Sequence, residues 1–178
     1  MSANGEGLRA RINAWLAAHT TVTLATVGAD GTPAAAAVFY AHDADLNLYF
    51  LSEERTQHGL NLAANPLVAG TIQVDPLTGT GGPDWRTIRG LQLRGVATLV
   101  PAGELAHAAA VYGRKFAFVG ELLKRPARGL VGSEGSGELI GPLARARFWV
   151  VRPAWFRLID NTVRFGFKEE WVRGERAT

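Results

Sequence analysis

Three short runs of β-branched and apolar residues follow one another near the N-terminus, and tight turns separate them. The first run spans Thr21 to Val27, and Gly28 to Gly31 follows it as a turn. Pro33 opens the second run, and His42 to Asp45 separates that run from the third, Leu46 to Leu51. Connections this short join antiparallel neighbours. The pattern therefore predicts an antiparallel meander.

Hydrophobic periodicity predicts the other elements. Apolar residues recur at helical spacing over 8–18 and 103–124, which are expected to be helices. A short helix is expected at 56–64, with Ser52 or Thr56 as a possible cap and Asn65-Pro66 as its stop. Four further strands are expected at 68–74, 87–100, 146–152 and 155–159. Within the strand at 87–100, Gly90 and Gly95 indicate bulges or a close approach of backbones. Pro153 separates the last two strands, and the Gly- and Pro-rich segment 126–143 is expected to be a loop.

The predicted fold is mainly β, in the α+β class. Six or seven short strands with two substantial helices favour a small β-barrel that helices cover. The length of 178 residues suits one domain. Its expected parts are an N-terminal helix (8–18), barrel strands (21–100), a long helix (103–124), a final hairpin (145–160) and a tail (161–178).

Composition excludes several classes of protein. The chain has no cysteine, so disulfide scaffolds, thiolate zinc sites, iron–sulfur clusters and cysteine nucleophiles are ruled out. No apolar run reaches the roughly 18–20 residues that cross a bilayer, and the first 20 residues lack the pattern of a signal peptide. We therefore expect no membrane partner and a cytoplasmic location. The four histidines lack metal-ligand spacing, and no metal site is predicted.

The net charge of +3 is unevenly distributed, with the basic residues concentrated after residue 112. A basic half suits an anionic ligand or nucleic acid, but charge alone favours the simpler interpretation of a solvated basic surface. Nucleic acid is the weaker alternative, because the aromatic residues of this half alternate along strands rather than interleave with a basic run. The glycines form neither a phosphate loop nor a dinucleotide fingerprint.

The segment from Tyr49 to His58 is the best candidate for chemistry. It runs from the end of a strand through a polar loop into the start of a helix, and it places Ser52, Arg55 and Thr56 close to His58. A helix N-terminus with hydroxyl and basic side chains suits a phosphate. The alternative interpretation is that Ser52 or Thr56 only caps the helix while Arg55 and His58 are surface residues. Spacing alone favours this second interpretation.

The order of motifs along the chain resembles the flavin-binding split-barrel superfamily related to pyridoxamine 5′-phosphate oxidase, and most of all its YhbP-like branch. The resemblance covers roughly residues 8–171. The runs that carry it are Thr23-Leu24-Ala25-Thr26-Val27, Asp30-Gly31-Thr32-Pro33, Val38-Phe39-Tyr40, Tyr49-Phe50-Leu51-Ser52, Asn61-Leu62-Ala63-Ala64-Asn65-Pro66, Ile88-Arg89-Gly90-Leu91-Gln92, Phe156-Arg157-Leu158-Ile159-Asp160-Asn161 and Phe165-Gly166-Phe167-Lys168.

This resemblance implies a six-stranded antiparallel split barrel, an obligate homodimer, and FMN bound between the subunits. It assigns the FMN phosphate to Ser52, Thr56, Gln57 and His58, with Arg55 as a further cation. The second strand, through Val38, and the fifth strand, through Gln92 of the other subunit, are expected to border the flavin ring. Trp85 and Arg89 are expected to wall the cleft, or else only to pack in the interface. Lys168 is expected to fold over the neighbouring cofactor, unless the tail is frayed.

The chain also departs from the pattern of that superfamily. Gln57 stands where related proteins often carry a basic residue, and Phe167 where the YhbP-like pattern usually has histidine. Some members of the superfamily use heme or the deazaflavin F420, and some have lost the cofactor. The implied function is an FMN-dependent oxidoreductase of an unknown small molecule, with no catalytic residue assigned. The alternative is a non-catalytic protein that binds flavin, heme or F420.

Overall fold

Six antiparallel strands close into a barrel in the computed structural model, which describes residues 3–74, 78–79, 82–123 and 145–174. The strands are β1 (Thr21–Val27), β2 (Pro33–His42), β3 (Leu48–Ser52), β4 (Leu67–Gln73), β5 (Arg89–Leu99) and β6 (Arg147–Asp160). Their order around the barrel is β3-β2-β1-β4-β5-β6, and pairing of β3 with β6 closes it. A seventh strand, β7 (Lys168–Val172), extends the sheet beside β6. The predicted six-stranded barrel is thereby confirmed.

Alternation along the strands places one set of side chains inside the barrel. In β1, Val22, Leu24 and Thr26 are buried while the residues between them are exposed. The same period of two continues across the paired strands, because paired residues share a face of the sheet. Inward residues of all six strands thus form the main core, together with one face of the N-terminal helix.

The N-terminal helix α1 (Ala3–Ala18) packs against this core. It starts five residues before the predicted helix at 8–18, but its buried residues are the predicted ones: Leu8, Ile12, Trp15 and Leu16. Lys115, from a later helix, donates to Leu16 O at 2.9 Å and to His19 O. Its ammonium lies 4.2 Å from the centre of the Tyr40 ring. Lys115 thereby satisfies carbonyl groups at the C-terminal end of α1.

The predicted long helix at 103–124 is wrong as a single element. The structure has a short 3₁₀ turn (Ala102–Glu104) followed by α3 (Leu105–Lys115) and α4 (Ala117–Leu123), with the break at Phe116. Gly113 and Gly120 meet where the two helices cross, since a Cβ on either would lie 3.1 Å from the Cα of the other. The break lets both helices bury apolar residues, among them Val111, Tyr112 and Val119, against outward faces of β2, β3 and β6. Residue 124 and the predicted loop at 126–143 lie outside the described residues.

The predicted hairpin at 145–160 is also wrong. Pro153 does not end a strand, because β6 runs through it as one strand of 14 residues. The pairing of β5 with β6 shifts register between Arg94 and Gly95, and Gly95 lies opposite Pro153. A Cβ on Gly95 would lie 2.3 Å from Arg152 O, so only glycine fits there. The bulge expected at Gly95 is confirmed, whereas Gly90 pairs in regular register.

An antiparallel partner of β6 comes instead from the segment predicted as a tail. β7 pairs with the second half of β6, with Lys168 opposite Ile159 and Val172 opposite Trp155. Residue 174 is the last described position of the expected tail.

Helix α2 (Gln57–Ala64) closely matches the prediction of 56–64, and Asn65 caps its C-terminus. Among the described residues, no helix is long and apolar enough to span a membrane.

Candidate functional site

The loop between β3 and α2 ends in a capped helix start. Thr56 has extended backbone, and its hydroxyl oxygen accepts a hydrogen bond from Gly59 N at 3.2 Å. The same hydroxyl donates to Glu53 O at 2.8 Å. The expectation that Ser52 or Thr56 caps this helix is confirmed for Thr56. The first turn of a helix leaves N–H groups without helical acceptors, and its positive potential favours anions.

Ser52 and His58 contact each other beside this cap. Ser52 Oγ lies 2.6 Å from His58 Nε2 and 3.4 Å from the hydroxyl oxygen of Thr56. Burial lowers the pKa of His58 below its usual value. In a neutral imidazole, Nε2 can accept a hydrogen bond from the Ser52 hydroxyl. We call Ser52, Thr56, His58 and the first-turn N–H groups the α2 cradle.

Five charged side chains border the cradle. Glu53 is held by Arg55 at 2.5 Å and by Arg145 at 3.1 Å, and Arg147 lies 3.5 Å from Glu54. Burial alone would raise the pKa of Glu53, but the hydrogen bonds from the two arginines outweigh it and lower that pKa. Three arginines thus surround two carboxylates, and the border keeps one net positive charge. Arg55 is engaged with Glu53 rather than free for a ligand.

Gln57 is directed towards the barrel rather than towards the cradle. Its side-chain amide donates to Asn61 Oδ1 at 2.8 Å, and Asn61 donates to the Thr26 hydroxyl at 2.9 Å. Asn61 and Thr26 are among the few buried polar side chains of the chain's described part. This chain of hydrogen bonds fixes α2 to β1, and with it the position of the cradle.

Part of the barrel's outer surface is left without a covering helix in the described structure. Two rows of paired residues cross it from β2 to β6, and we call them the open face: Ala35, Ala25, Ala69, Arg94 and Trp155 in one row, and Ala37, Thr23, Thr71, Gln92 and Arg157 in the other. Phe39 and Leu67, at its border, are 61% and 63% exposed. The face therefore combines alanines and exposed large apolar side chains at its border with a polar row that includes Thr23, Thr71 and Gln92.

The sequence profile of the pyridoxamine 5′-phosphate oxidase family matches residues 8–132 of this chain. The protein YhbP of Salmonella schwarzengrund is 31% identical over 170 residues, which cover 93% of this chain and 94% of that protein. The chain belongs to the pyridoxamine 5′-phosphate oxidase family. Its similarity to YhbP extends the match beyond residue 132.

Solved structures of the family's fold agree with the barrel found here. A heme-binding protein from Mycobacterium smegmatis superposes with a TM-score of 0.62 at 22% identity, covering 97% of this chain and 59% of that protein. A protein from Listeria innocua, described as a putative pyridoxamine 5′-phosphate oxidase, superposes with a TM-score of 0.56 at 20% identity, covering 86% and 98% of the two chains. At these identities the likeness extends to the fold alone.

The structure of this family member brings only some of the predicted site residues together. Ser52, Thr56 and His58 form the cradle, while Gln92 lies in the middle of the open face. Val38 turns its half-buried side chain to the core, so only its backbone borders the outer surface. Their roles in binding remain predictions.

Three other predicted residues lie together at the far end of β5. Arg89 pairs with Asp160 at 3.3 Å, and Lys168 opens β7 opposite Ile159. Trp85 is 54% exposed and meets the ring of Phe165 edge-on at 4.9 Å. These positions near the edge of the sheet do not test whether the three residues contribute to a cofactor site, so that role stays a prediction.

Sequence reasoning missed the basic residues that β6 adds to the cradle's border. Arg147 is the strand partner of Ser52, and Trp149 Nε1 donates to Ser52 O at 3.2 Å. The pairing of β3 with β6 joins residues about 95 positions apart, so no local pattern indicates it. Arg147 can be placed beside Ser52 only once the third and sixth strands are known to pair and close the barrel.

Proposed function

We propose that this protein binds FMN between the subunits of a homodimer and uses it to oxidise or reduce a small molecule. The α2 cradle is the observation that carries the proposal. It offers the Ser52 hydroxyl, the His58 imidazole and first-turn N–H groups within a border of net positive charge. Once His58 is protonated, these groups are donors that suit a phosphate monoester.

The cradle favours FMN over larger cofactors. It consists of one helix start, which suits one terminal phosphate, and the sequence contains no second glycine-rich phosphate loop for a pyrophosphate. The alanines of the open face offer a flat apolar surface for a planar ring. The deazaflavin F420 is the alternative flavin analogue.

The open face supports the proposed dimer. Its alanine side chains, with Phe39 and Leu67 at the border, form an apolar surface that a second copy of the chain would remove from water. Obligate homodimer interfaces typically bury more than about 2,000 Å². In such a dimer, the cradle of one subunit and Gln92 of the other would border the same ligand.

In this function the chain's residues bind and orient the cofactor. FMN supplies hydride and electron transfer when bound. The Ser52 hydroxyl would turn from His58 to the phosphate, and His58 would take up a proton to become a second donor. Arg147 would supply charge from β6, since its pairing with Glu54 at 3.5 Å is loose and exposed. The substrate would bind beside the ring.

Heme is the second candidate, because the M. smegmatis protein of this fold is described as heme binding. Heme iron is held by histidine, cysteine, methionine or tyrosine. The chain has no cysteine, and three of its histidines are hydrogen-bonded within the protein: His19 to Trp15, His42 to Asn13 and His58 to Ser52. Each of these bonds engages one ring nitrogen and leaves the other, so the histidines do not decide between FMN and heme, and reconstitution does.

One reconstitution experiment tests the proposed function. The purified chain is mixed with FMN or with hemin, desalted, and examined by absorbance and by light scattering. We expect a retained flavin band near about 450 nm, the absorbance of the cofactor itself, and the mass of a dimer. A retained Soret band with no flavin would assign the site to heme. Retention of neither chromophore would favour a ligand-binding protein without turnover, and a stable monomer would contradict the shared site.

A further inference from the structure

The C-terminal half of α1 is fastened to the barrel by hydrogen bonds as well as by its buried apolar face. Trp15 Nε1 donates to Ile72 O at 3.2 Å, and the Tyr40 hydroxyl donates to Leu16 O at 3.0 Å. Lys115 donates to the same Leu16 carbonyl at 2.9 Å. One turn of α1 is therefore held by bonds to β4, β2 and α3 at once.

His42 adds a further bond to α1, and one of its ring nitrogens is left over. His42 Nε2 lies 3.0 Å from Asn13 Oδ1, which can only accept, so Nε2 carries the proton of the neutral ring. Within the described part of the chain, the buried Nδ1 atom has no hydrogen-bond partner. His42 pairs with Leu48, a core residue of β3, so its side chain lies on the inner side of the sheet and away from the open face. A second proton on this ring would find no acceptor in place.

Positive charge predominates around this end of β2. Lys115 reaches it from α3, with its ammonium 4.2 Å from the ring centre of Tyr40, which shares a face of β2 with His42. Asp43 follows His42, but its carboxylate is already held by the Tyr49 hydroxyl at 2.9 Å. The other charged and titratable groups that reach this strand end or the adjoining turn are Arg9 on α1, His19 just after it, His107 on α3, Arg173 after β7, and Asp45 in the turn itself.

These surroundings oppose protonation of His42. Burial lowers the pKa of His42, and the positive charge of Lys115 lowers it further, whereas the charge of Asp43 acts in the opposite direction. Burial also lowers the pKa of Lys115 to about 8, so this ammonium is mostly charged at neutral pH and fully charged in acid. If α1 were released, the His42 ring would regain water and an ordinary pKa of about 6.5. The released form then binds the proton more readily, so a fall in pH below that value favours release.

We propose that His42 is an acid-sensitive latch between α1 and the barrel. In its neutral form it holds Asn13, whereas its protonated form places a second cation beside Lys115 and releases the C-terminal half of α1. Release would carry Trp15 and Leu16 out of the main core. The latch is independent of the proposed cofactor, because none of its groups belongs to the α2 cradle or to the open face.

Hydrogen exchange tests the latch in the full chain. The amide protons of residues 10–18 are followed by NMR between pH 7.5 and 5.5 and expressed as protection factors, which removes the intrinsic pH dependence of exchange. We expect protection of α1 to fall relative to that of β1 and β4, by up to about tenfold, which is the limit for one histidine with an ordinary pKa in the released form. His42→Gln should abolish this dependence, since glutamine can still donate to Asn13 but does not titrate.

Two further variants separate the latch from general effects of acid. His58→Gln removes another histidine whose pKa burial lowers, and it should leave the pH dependence of α1 unchanged. Asn13→Asp places a carboxylate where it can pair with protonated His42, so α1 of this variant should be better protected at pH 5.5 than α1 of the wild-type chain.

Three results would overturn the proposal. The first is constant protection of α1 in the wild-type chain from pH 7.5 to 5.5. The second is an equal loss of protection in α1 and in the barrel strands, because that would be unfolding of the whole domain. The third is a pH dependence that persists in His42→Gln or that disappears equally in His58→Gln. If His42→Gln fails to fold, the comparison of Asn13→Asp with the wild-type chain decides, and equal protection of the two at pH 5.5 would then reject the latch.

Discussion

Replacing Ser52 by alanine separates phosphate recognition from the other contacts of the cofactor. In the free protein the Ser52 hydroxyl already makes one hydrogen bond, to His58 at 2.6 Å. A hydrogen bond to a charged phosphate contributes about 1.5–3 kcal/mol, and the neutral bond that it replaces about 0.5–1.5 kcal/mol. At matching ends of the two ranges the difference is about 1–1.5 kcal/mol, which predicts that Ser52→Ala weakens FMN binding by roughly fivefold to thirteenfold.

The assay is an equilibrium titration of FMN, followed by quenching of flavin fluorescence, with riboflavin as the ligand that lacks the phosphate. Ser52→Ala should leave riboflavin affinity unchanged. Thr98→Ala is the matched control, because Thr98 is a half-buried hydroxyl on β5 that accepts from Arg152 at 3.4 Å, outside the cradle. Equal losses for FMN and riboflavin, or an unchanged FMN affinity, would refute the role assigned to Ser52.

Three further predictions follow from the charges around the cradle and α1. Glu53→Gln should tighten FMN binding in a titration at low salt, because it frees Arg55 and removes a carboxylate from the border; Glu104→Gln, which also removes an arginine-paired carboxylate, should not. Since burial lowers the pKa of His58 and a bound phosphate favours its protonated form, FMN affinity should rise as pH falls from about 8 to 6.5. His58→Gln should flatten that dependence, and a slope that persists would count against proton uptake. Lys115→Met leaves two carbonyl groups at the end of α1 without their donor, so it should lower the melting temperature by roughly 2–8 °C, while the exposed replacement Arg114→Met should not.

Local signals predicted the first half of the barrel well. The alternation from Thr21 to Val27 and the turns on either side of β2 arise from contacts between residues that are close in sequence, so a short window contains them. The cap at Thr56 is local for the same reason. Each of these features is determined by backbone preferences and turn chemistry that operate over fewer than about ten residues.

The structure of the second half of the chain depends on contacts between residues that are too far apart in sequence for a short window to contain them. Continuous spacing from Leu105 to Leu123 is compatible with one helix, but the close approach of Gly113 to Gly120 makes two shorter helices that pack on the barrel. Pro153 is a local strand breaker, yet the bulge at Gly95 on the facing strand accommodates it. The same long-range pairing places Arg147 beside Ser52. These outcomes are properties of the closed sheet rather than of the segments.

The family match strengthens the assignment of the fold but leaves the ligand to experiment. Members of this fold include a heme-binding protein and a protein described as a putative oxidase. The chain's own residues therefore carry the choice of cofactor. The hydroxyl of Ser52 and the imidazole of His58, which lie beside the start of α2, favour a phosphate ester.

The ratio of the dissociation constants of riboflavin and FMN tests most directly the claim that the α2 cradle binds a cofactor phosphate. The two ligands share the ring and differ only in the phosphate. Two or more charge-assisted hydrogen bonds, each contributing about 1.5–3 kcal/mol, predict that FMN binds the wild-type chain about a hundredfold or more tightly than riboflavin. Equal affinity for the two ligands would contradict the account, because it would mean that the cradle does not contact the phosphate.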